Sequence, residues 1–142
     1  MQSRIINGTS KESKAELDFL HLLKLFVDQE IIHHYSDNRY PFDCDFYIPD
    51  KDLFIEYQGH QTHGPAPYDA SNPEHWMIAD NLVSSGFSDY NYTNRDPRKL
   101  ATAKQNKINL LLIYPKNDSY LVTNGQIKNI GKFDVTKIND LC

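Results

Sequence analysis

Cysteine is nearly absent from the 142-residue sequence, which contains Cys44 and Cys142 and no others. The two form neither a CxxC pair nor a Cys/His ligand spacing, so neither a zinc module nor a disulfide framework is indicated. The sequence also lacks a run of about 18 apolar residues and a charged-then-apolar signal pattern at its N-terminus. We therefore expect a protein of a reducing, cytoplasmic compartment with no membrane partner.

An excess of positive charge is missing as well, because 15 Lys and Arg residues face 19 Asp and Glu residues, a formal charge of −4. A protein that coats nucleic acid by nonspecific phosphate attraction is basic overall, so this class is disfavoured, although a local basic face is compatible with the composition. Hydrophobic residues make up 39% of the chain. No repeat, linker or low-complexity segment divides it, so we predict one packed domain over residues 1–142.

Hydrophobic periodicity and turn residues predict alternating helices and strands. A capping box at Ser13 and Glu16 opens the first helix. The predicted helices cover residues 14–29, 73–85 and 96–105, and the predicted strands cover residues 31–35, 42–48, 53–57 and 108–114. This order indicates an α/β fold, with a central mixed sheet flanked by helices. Its core spans about 13–115, and the tail over 116–142 covers it as a hairpin or helix.

The segment from Asp43 to Gly59 predicts a hairpin with chemistry on it. If residues 49–52 form a four-residue turn, Tyr47 pairs with Phe54 and Asp45 pairs with Glu56. Side-chain alternation then separates an apolar face from a polar face. The apolar face contains Cys44, Phe46, Ile48, Leu53, Ile55 and Tyr57, and the polar face contains Asp43, Asp45, Glu56 and Gln58.

Two carboxylates directly opposite each other, with Cβ atoms about 5 Å apart, repel unless a cation lies between them. Asp45 and Glu56, together with the main-chain carbonyl of Tyr57, offer the oxygen ligands that Mg²⁺ prefers. Such an ion activates water and neutralises phosphate charge. The alternative is that the acids are only the solvated face of an amphipathic hairpin.

Asp45, Glu56-x-Gln58, the glycine that follows and His63 resemble the PD-(D/E)xK nuclease superfamily, in the branch of very-short-patch-repair endonucleases and the EDxHD homing endonucleases of phages. The resemblance covers most of the chain and implies a restriction-endonuclease-like core. It further implies a helix-borne acid before the hairpin and an Arg-Asp-x-x-Lys helix start after it, which Glu16 and the segment 95–99 match. Two features differ: Gln58 replaces the superfamily lysine, and the cysteines of the repair enzymes' zinc site are missing.

By this resemblance Asp45 and Glu56 hold Mg²⁺ or Mn²⁺ in the catalytic core, and Gln58 orients the water or binds phosphate. Glu16, projected from the first helix, holds a metal-bound water. Its alternative is a purely structural role in the capping box.

His63 acts in the same interpretation as general base or acid, or as a donor to the scissile phosphate, because imidazoles titrate near neutral pH. Asp96 is either a catalytic residue or the N-cap of its helix. Arg95, Lys99 and Lys104 belong to a basic segment that contacts nucleic-acid phosphates, with Lys99 as the preferred contact.

The expected function is that of a metal-dependent endonuclease that hydrolyses phosphodiester bonds in double-stranded DNA, in the host cytoplasm if a phage encodes it. The alternative is a catalytically inactive nuclease-derived module for nucleic-acid binding or assembly. A third hypothesis is that the protein is a nuclease whose substrate is RNA or a branched junction. No separate DNA-reading motif is visible, so specificity is expected from loops, a homodimer or a recruiting partner protein.

Overall fold

The computed structural model describes residues 11–141. Its helices are α1 (Lys11–Phe26), α2 (Pro73–Ser84) and α3 (Asp96–Gln105), the last continuing directly from a short π-helix (Asn91–Arg95). Its strands are β1 (Ile32–Asp37), β2 (Tyr40–Ile48), β3 (Leu53–Tyr57), β4 (Asn109–Ile113), β5 (Asp118–Thr123) and β6 (Gln126–Lys132). Short 3-10 turns occupy Pro49–Lys51, Gln61–His63 and Val135–Asp140.

The strands form one sheet in the order β1-β2-β3-β4-β5-β6. Neighbouring strands are antiparallel except β3 and β4, which run parallel with Leu53 opposite Asn109 and Tyr57 opposite Ile113. A parallel pair requires a crossover connection, and here the connection carries α2 and α3. The predicted α/β class, with a mixed central sheet flanked by helices, is confirmed and is compatible with a restriction-endonuclease-like core.

Both faces of the sheet are buried. On one face, Leu23 of α1 and Val27 just after it pack against Phe46 and Ile55 of the central strands, and Ile138 of the last 3-10 turn closes this cluster. On the other face, α3 covers a second cluster. Its members include Tyr40, Tyr47, Phe54, Ala103, Leu110 and Val122.

The alternative of a solvated polar face is wrong at Glu56 and Gln58, because α3 packs against that part of the hairpin, whereas Asp43 is exposed. Glu56 is 2% exposed and Gln58 is 5% exposed. The predicted alternation also fails at Cys44, which packs with Tyr40 and Tyr47 rather than with Phe46. Its thiol donates to the carbonyls of Phe46 and Ile55, at 3.4 and 3.2 Å.

The capping box at Ser13 and Glu16 is wrong as well. The helix covers Lys11–Phe26, so Ser13 lies inside the helix, whereas an N-cap residue requires non-helical backbone angles. Glu16 is buried on the helix surface that faces the sheet. The burial of Glu16 is therefore not explained by helix capping.

The hairpin between β2 and β3 has the predicted register as far as Phe46 and Ile55, beyond which the predicted pairing of Asp45 with Glu56 does not form. Tyr47 pairs with Phe54 and Ile48 with Leu53. The turn between them ends at Asp52, whose φ of +47° is unusual for a residue other than glycine. Its carboxylate accepts from the Arg39 guanidinium at 2.8 Å and from the Tyr47 hydroxyl at 2.6 Å, and these bonds hold the turn in place.

The C-terminal part of the chain extends and covers the sheet. Asn124 and Gly125 form the turn between β5 and β6, where both residues have positive φ. The Val135–Asp140 turn then brings Ile138 against α1. Over residues 11–141 no helix has the length and apolar character that a membrane crossing requires.

The two leucines Leu23 and Leu25 of α1 provide a matched test of this packing. Leu23 is 0% exposed and Leu25 is 75% exposed. We expect Leu23→Ala to lower the free energy of unfolding by about 2–5 kcal/mol, because it leaves a cavity against the sheet. Leu25→Ala should change it by no more than about 0.5 kcal/mol. Urea unfolding followed by circular dichroism measures both, and equal effects would contradict the placement of α1.

Candidate functional site

The β2–β3 pairing ends next to Asp45. The last backbone pair is Phe46 with Ile55, and beyond it the Asp45 carboxylate accepts the Tyr57 N–H through Oδ2 at 2.7 Å. A side chain thus occupies the place of the next backbone acceptor, so the two strands part at this point. This separation opens the end of β3 and leaves Asp45 beside Glu56.

Glu56 is a buried carboxylate held by two donors. Its Oε2 accepts from the Tyr40 hydroxyl at 2.6 Å and lies 3.0 Å from Nζ of Lys99. Lys99 comes from α3 and is itself buried. A buried carboxylate is stable as an anion only when it is paired and hydrogen-bonded, and Lys99 and Tyr40 satisfy both conditions.

Negative charge is concentrated around Asp45. Burial, the Glu56 carboxylate and the Glu16 carboxylate raise the pKa of Asp45 to about 9. Lys99 is the cation that acts against this shift. Within residues 11–141, Asp45 Oδ1 and Glu56 Oε1 accept no hydrogen bond, so each acid keeps one free oxygen. Two free carboxylate oxygens, in a site with more carboxylates than cationic groups, fit a hard divalent cation such as Mg²⁺.

His63 and Asp96 form a second pair. Nδ1 of His63 lies 2.7 Å from Oδ2 of Asp96, and the two side chains are 13% and 10% exposed. The capping interpretation of Asp96 is wrong, because the π-helix places it in helical conformation and its carboxylate is turned to His63. Asp96 Oδ1 is buried without a partner among the described residues. The arrangement leaves Nε2 of His63 available for proton transfer.

Local structure fixes the loop that carries His63. His60 caps the 3-10 turn by accepting the Thr62 N–H on Nδ1 at 3.2 Å. Gly64 follows with a φ of +70°, and a Cβ atom there would lie 2.5 Å from the Tyr92 ring. Glycine is therefore required after His63 both by backbone angle and by close packing.

Gln58 lies between two cavities. One is a groove of about 1010 Å³ between α1, the loop after β3 and α2, and its lining includes Ala15, Gln58 and Leu82. The other is a cavity of about 170 Å³ whose lining includes Gln58, Asp96 and Lys99. The smaller cavity is thus lined by one member of each pair, Lys99 and Asp96.

The basic segment does not form one continuous face. Lys99 lies inside the site, and Lys104 is half-buried at the smaller cavity. Arg95 is exposed. Arg98 is tied to Asn94 and to the Tyr90 hydroxyl, at 3.0 and 2.8 Å.

The sequence interpretation missed Tyr40, His33 and His34. Tyr40 donates its hydroxyl to Glu56 from a distant part of the chain, and no local pattern signals that contact. His33 and His34 lie outside the predicted site, yet Nε2 of His33 lies 3.2 Å from Oε2 of Glu16. Adjacent histidines in a strand were the available signal.

Comparison of the chain with models of protein families, with curated proteins and with solved structures finds no match. The geometry around Asp45 and Glu56 is therefore the basis for assigning a function.

The raised pKa of Asp45 predicts how stability depends on pH in the absence of metal. Between an ordinary aspartate pKa of about 4 and the folded-state pKa of about 9, only the folded chain keeps the proton, so the free energy of unfolding falls as pH rises. We expect Asp45→Asn to flatten this fall and to be the more stable protein at pH 8 by at least about 1 kcal/mol.

Urea unfolding in chelator at a series of pH values measures this effect. Asp28→Asn, in the exposed loop after α1, is the matched control and should follow the wild type. Parallel pH curves for wild type and Asp45→Asn would show that Asp45 has no raised pKa.

Proposed function

We propose that the protein is a metal-dependent endonuclease that hydrolyses phosphodiester bonds in DNA. The observation that carries the proposal is the grouping of Asp45 with the Glu56–Lys99 pair at the end of β3, near the His63–Asp96 pair, since Lys99 and Asp96 line one cavity. Acid, cation and imidazole groups close to one another are what hydrolysis of a charged ester requires.

Asp45 and Glu56 would hold Mg²⁺ or Mn²⁺ through their free oxygens, with the Tyr57 carbonyl as a further ligand. The bound ion supplies a water of lowered pKa and offsets the charge of the phosphate. Without a cation the site would repel a phosphodiester, because the Glu56 and Glu16 carboxylates lie near Asp45, with Lys99 as the neighbouring positive group. The excess of carboxylates over cationic side chains is thus consistent with a site that binds a metal ion.

Lys99 supplies the positive charge that Gln58 lacks. Gln58 stands where the resemblance expects a lysine, and a neutral amide supplies no charge. Lys99 places an ammonium group 3.0 Å from Glu56, from α3 instead of β3. There it fixes the orientation of Glu56 and provides positive charge towards the substrate phosphate.

His63 is the group that moves a proton. Asp96 holds Nδ1, which sets the tautomer of the neutral ring and leaves Nε2 as an acceptor. In this role Nε2 accepts a proton from the attacking water, or, once protonated, donates to the leaving oxygen. The groove beside Gln58 and exposed Arg95 are the surfaces for the DNA strand.

Nicking of supercoiled plasmid DNA with Mg²⁺ or Mn²⁺ tests the assignment. We expect Asp45→Asn, Glu56→Gln and His63→Ala each to lose at least about 100-fold in rate, since each removes a metal ligand or the proton carrier. His21→Ala, on the exposed side of α1, should cut like the wild type.

The proposal fails if folded wild type cuts no DNA or RNA with either metal, or if the three variants keep full activity. Salt-sensitive, metal-independent DNA binding by a wild type that never cuts would instead favour the inactive binding module.

Lys99 allows a separate test. We expect Lys99→Met to lower the cleavage rate about 100-fold or more and the free energy of unfolding by about 3 kcal/mol, because Glu56 is left buried without its cation. Lys99→Arg keeps the charge and should recover most of the stability. Lys107→Met, at an exposed lysine, should change neither quantity. A folded Lys99→Met protein that cuts at the wild-type rate would contradict the role of Lys99.

A further inference from the structure

A second group of ligating side chains lies between α1 and β1. Glu16, His33 and His34 each bring one ligand atom within 4.8 Å of the others, and among residues 11–141 they are the group of three His, Cys, Asp or Glu side chains that meets this distance. The proposed nuclease chemistry makes no use of the two histidines. The adjacent histidines are the sequence signal of this group, but Glu16 joins them only because α1 packs on the sheet.

The backbone at His34 turns both imidazoles to the same side. Successive residues of a strand normally point to opposite faces. His34 has a φ of +63°, which is uncommon for residues other than glycine, and its ring stacks on that of His33 with centroids 4.1 Å apart. His33 in turn stacks on Phe46 at 5.0 Å. The rings are therefore fixed before any ligand arrives.

The distances suit a metal ion. Nε2 of His33 lies 3.2 Å from Oε2 of Glu16. Two ligands on a tetrahedral ion with bonds of about 2.0–2.1 Å are about 3.3 Å apart. Nδ1 of His34 lies 3.1 Å from Oδ2 of Asp43, which leaves Nε2 as its free nitrogen. A carboxylate on the far nitrogen of a histidine is the usual support for a metal-binding imidazole.

We propose that Glu16, His33 and His34 form a binding site for a divalent transition-metal ion of the Zn²⁺ type, separate from the site at Asp45 and Glu56. Imidazole nitrogens suit Zn²⁺ and its neighbours, whereas Mg²⁺ prefers oxygen. Three protein ligands leave a tetrahedral ion one position for water or an anion. Bound there, the ion joins α1 to β1 and stabilises the fold, since the ligands come together only in the folded chain.

Co²⁺ titration of the tag-free, chelator-treated full chain tests the site, because tetrahedral Co²⁺ absorbs visible light. We expect one equivalent to bind, Zn²⁺ to displace it, excess Mg²⁺ to leave it in place, and Zn²⁺ to raise the melting temperature. His34→Asn should weaken binding at least about tenfold while keeping the backbone, since asparagine tolerates positive φ. His33→Asn should weaken binding similarly, and Asp43→Asn should weaken it about tenfold.

His21→Asn, with its exposed histidine on α1, is the matched control and should bind like the wild type. Glu56→Gln should also bind Co²⁺ normally, so loss of nuclease function and loss of this site are distinguishable. Absence of saturable Co²⁺ or Zn²⁺ binding, or unchanged affinity in both His33→Asn and His34→Asn, would overturn the proposal and leave a hydrogen-bonded cluster.

Discussion

The buried contact of Glu56 with Lys99 is the constraint on which one whole side of the molecule depends. An ionised carboxylate that is 2% exposed is tolerable only beside a partner charge, and the partner comes from α3. Meeting this requirement fixes α3 against the sheet. Asp96 lies one turn earlier on the same helix, so the position of Lys99 also sets the position of the Asp96 carboxylate and, through it, of His63.

The sequence allows prediction of those features that depend on neighbouring residues. The β2–β3 register follows from a four-residue turn, because the length of a turn fixes which residues face each other. Asn72 caps α2, with its side chain accepting from the Glu74 N–H at 3.0 Å, and an asparagine followed by proline is a local signal for a helix start. The α/β class follows from the order of such elements. The local sequence signals of these elements agree with their packing, so the elements can be predicted without a structure.

The features that the sequence does not predict arise from contacts between distant segments. Glu56 and Gln58 on the polar face of the hairpin are buried because α3 covers them, and the strand pattern alone is the same for a solvated face. Cys44 leaves its expected side where the strands part at Asp45. Ser13 and Asp96 both match capping patterns in the sequence. In the structure α1 begins before Ser13, and the Asp96 carboxylate contacts His63 instead of capping α3.

Glu16 connects the two clusters of ligating side chains. Among the described side chains of α1 it is the charged one that is buried, on a helix surface that otherwise presents apolar residues to the sheet. A carboxylate in that place needs a partner, and His33 supplies it at 3.2 Å. The same carboxylate contributes to the raised pKa of Asp45. Burial and the Glu56 carboxylate raise the pKa of Asp45 further, so a cation bound beside His33 and His34 would offset only the part of the rise that comes from Glu16.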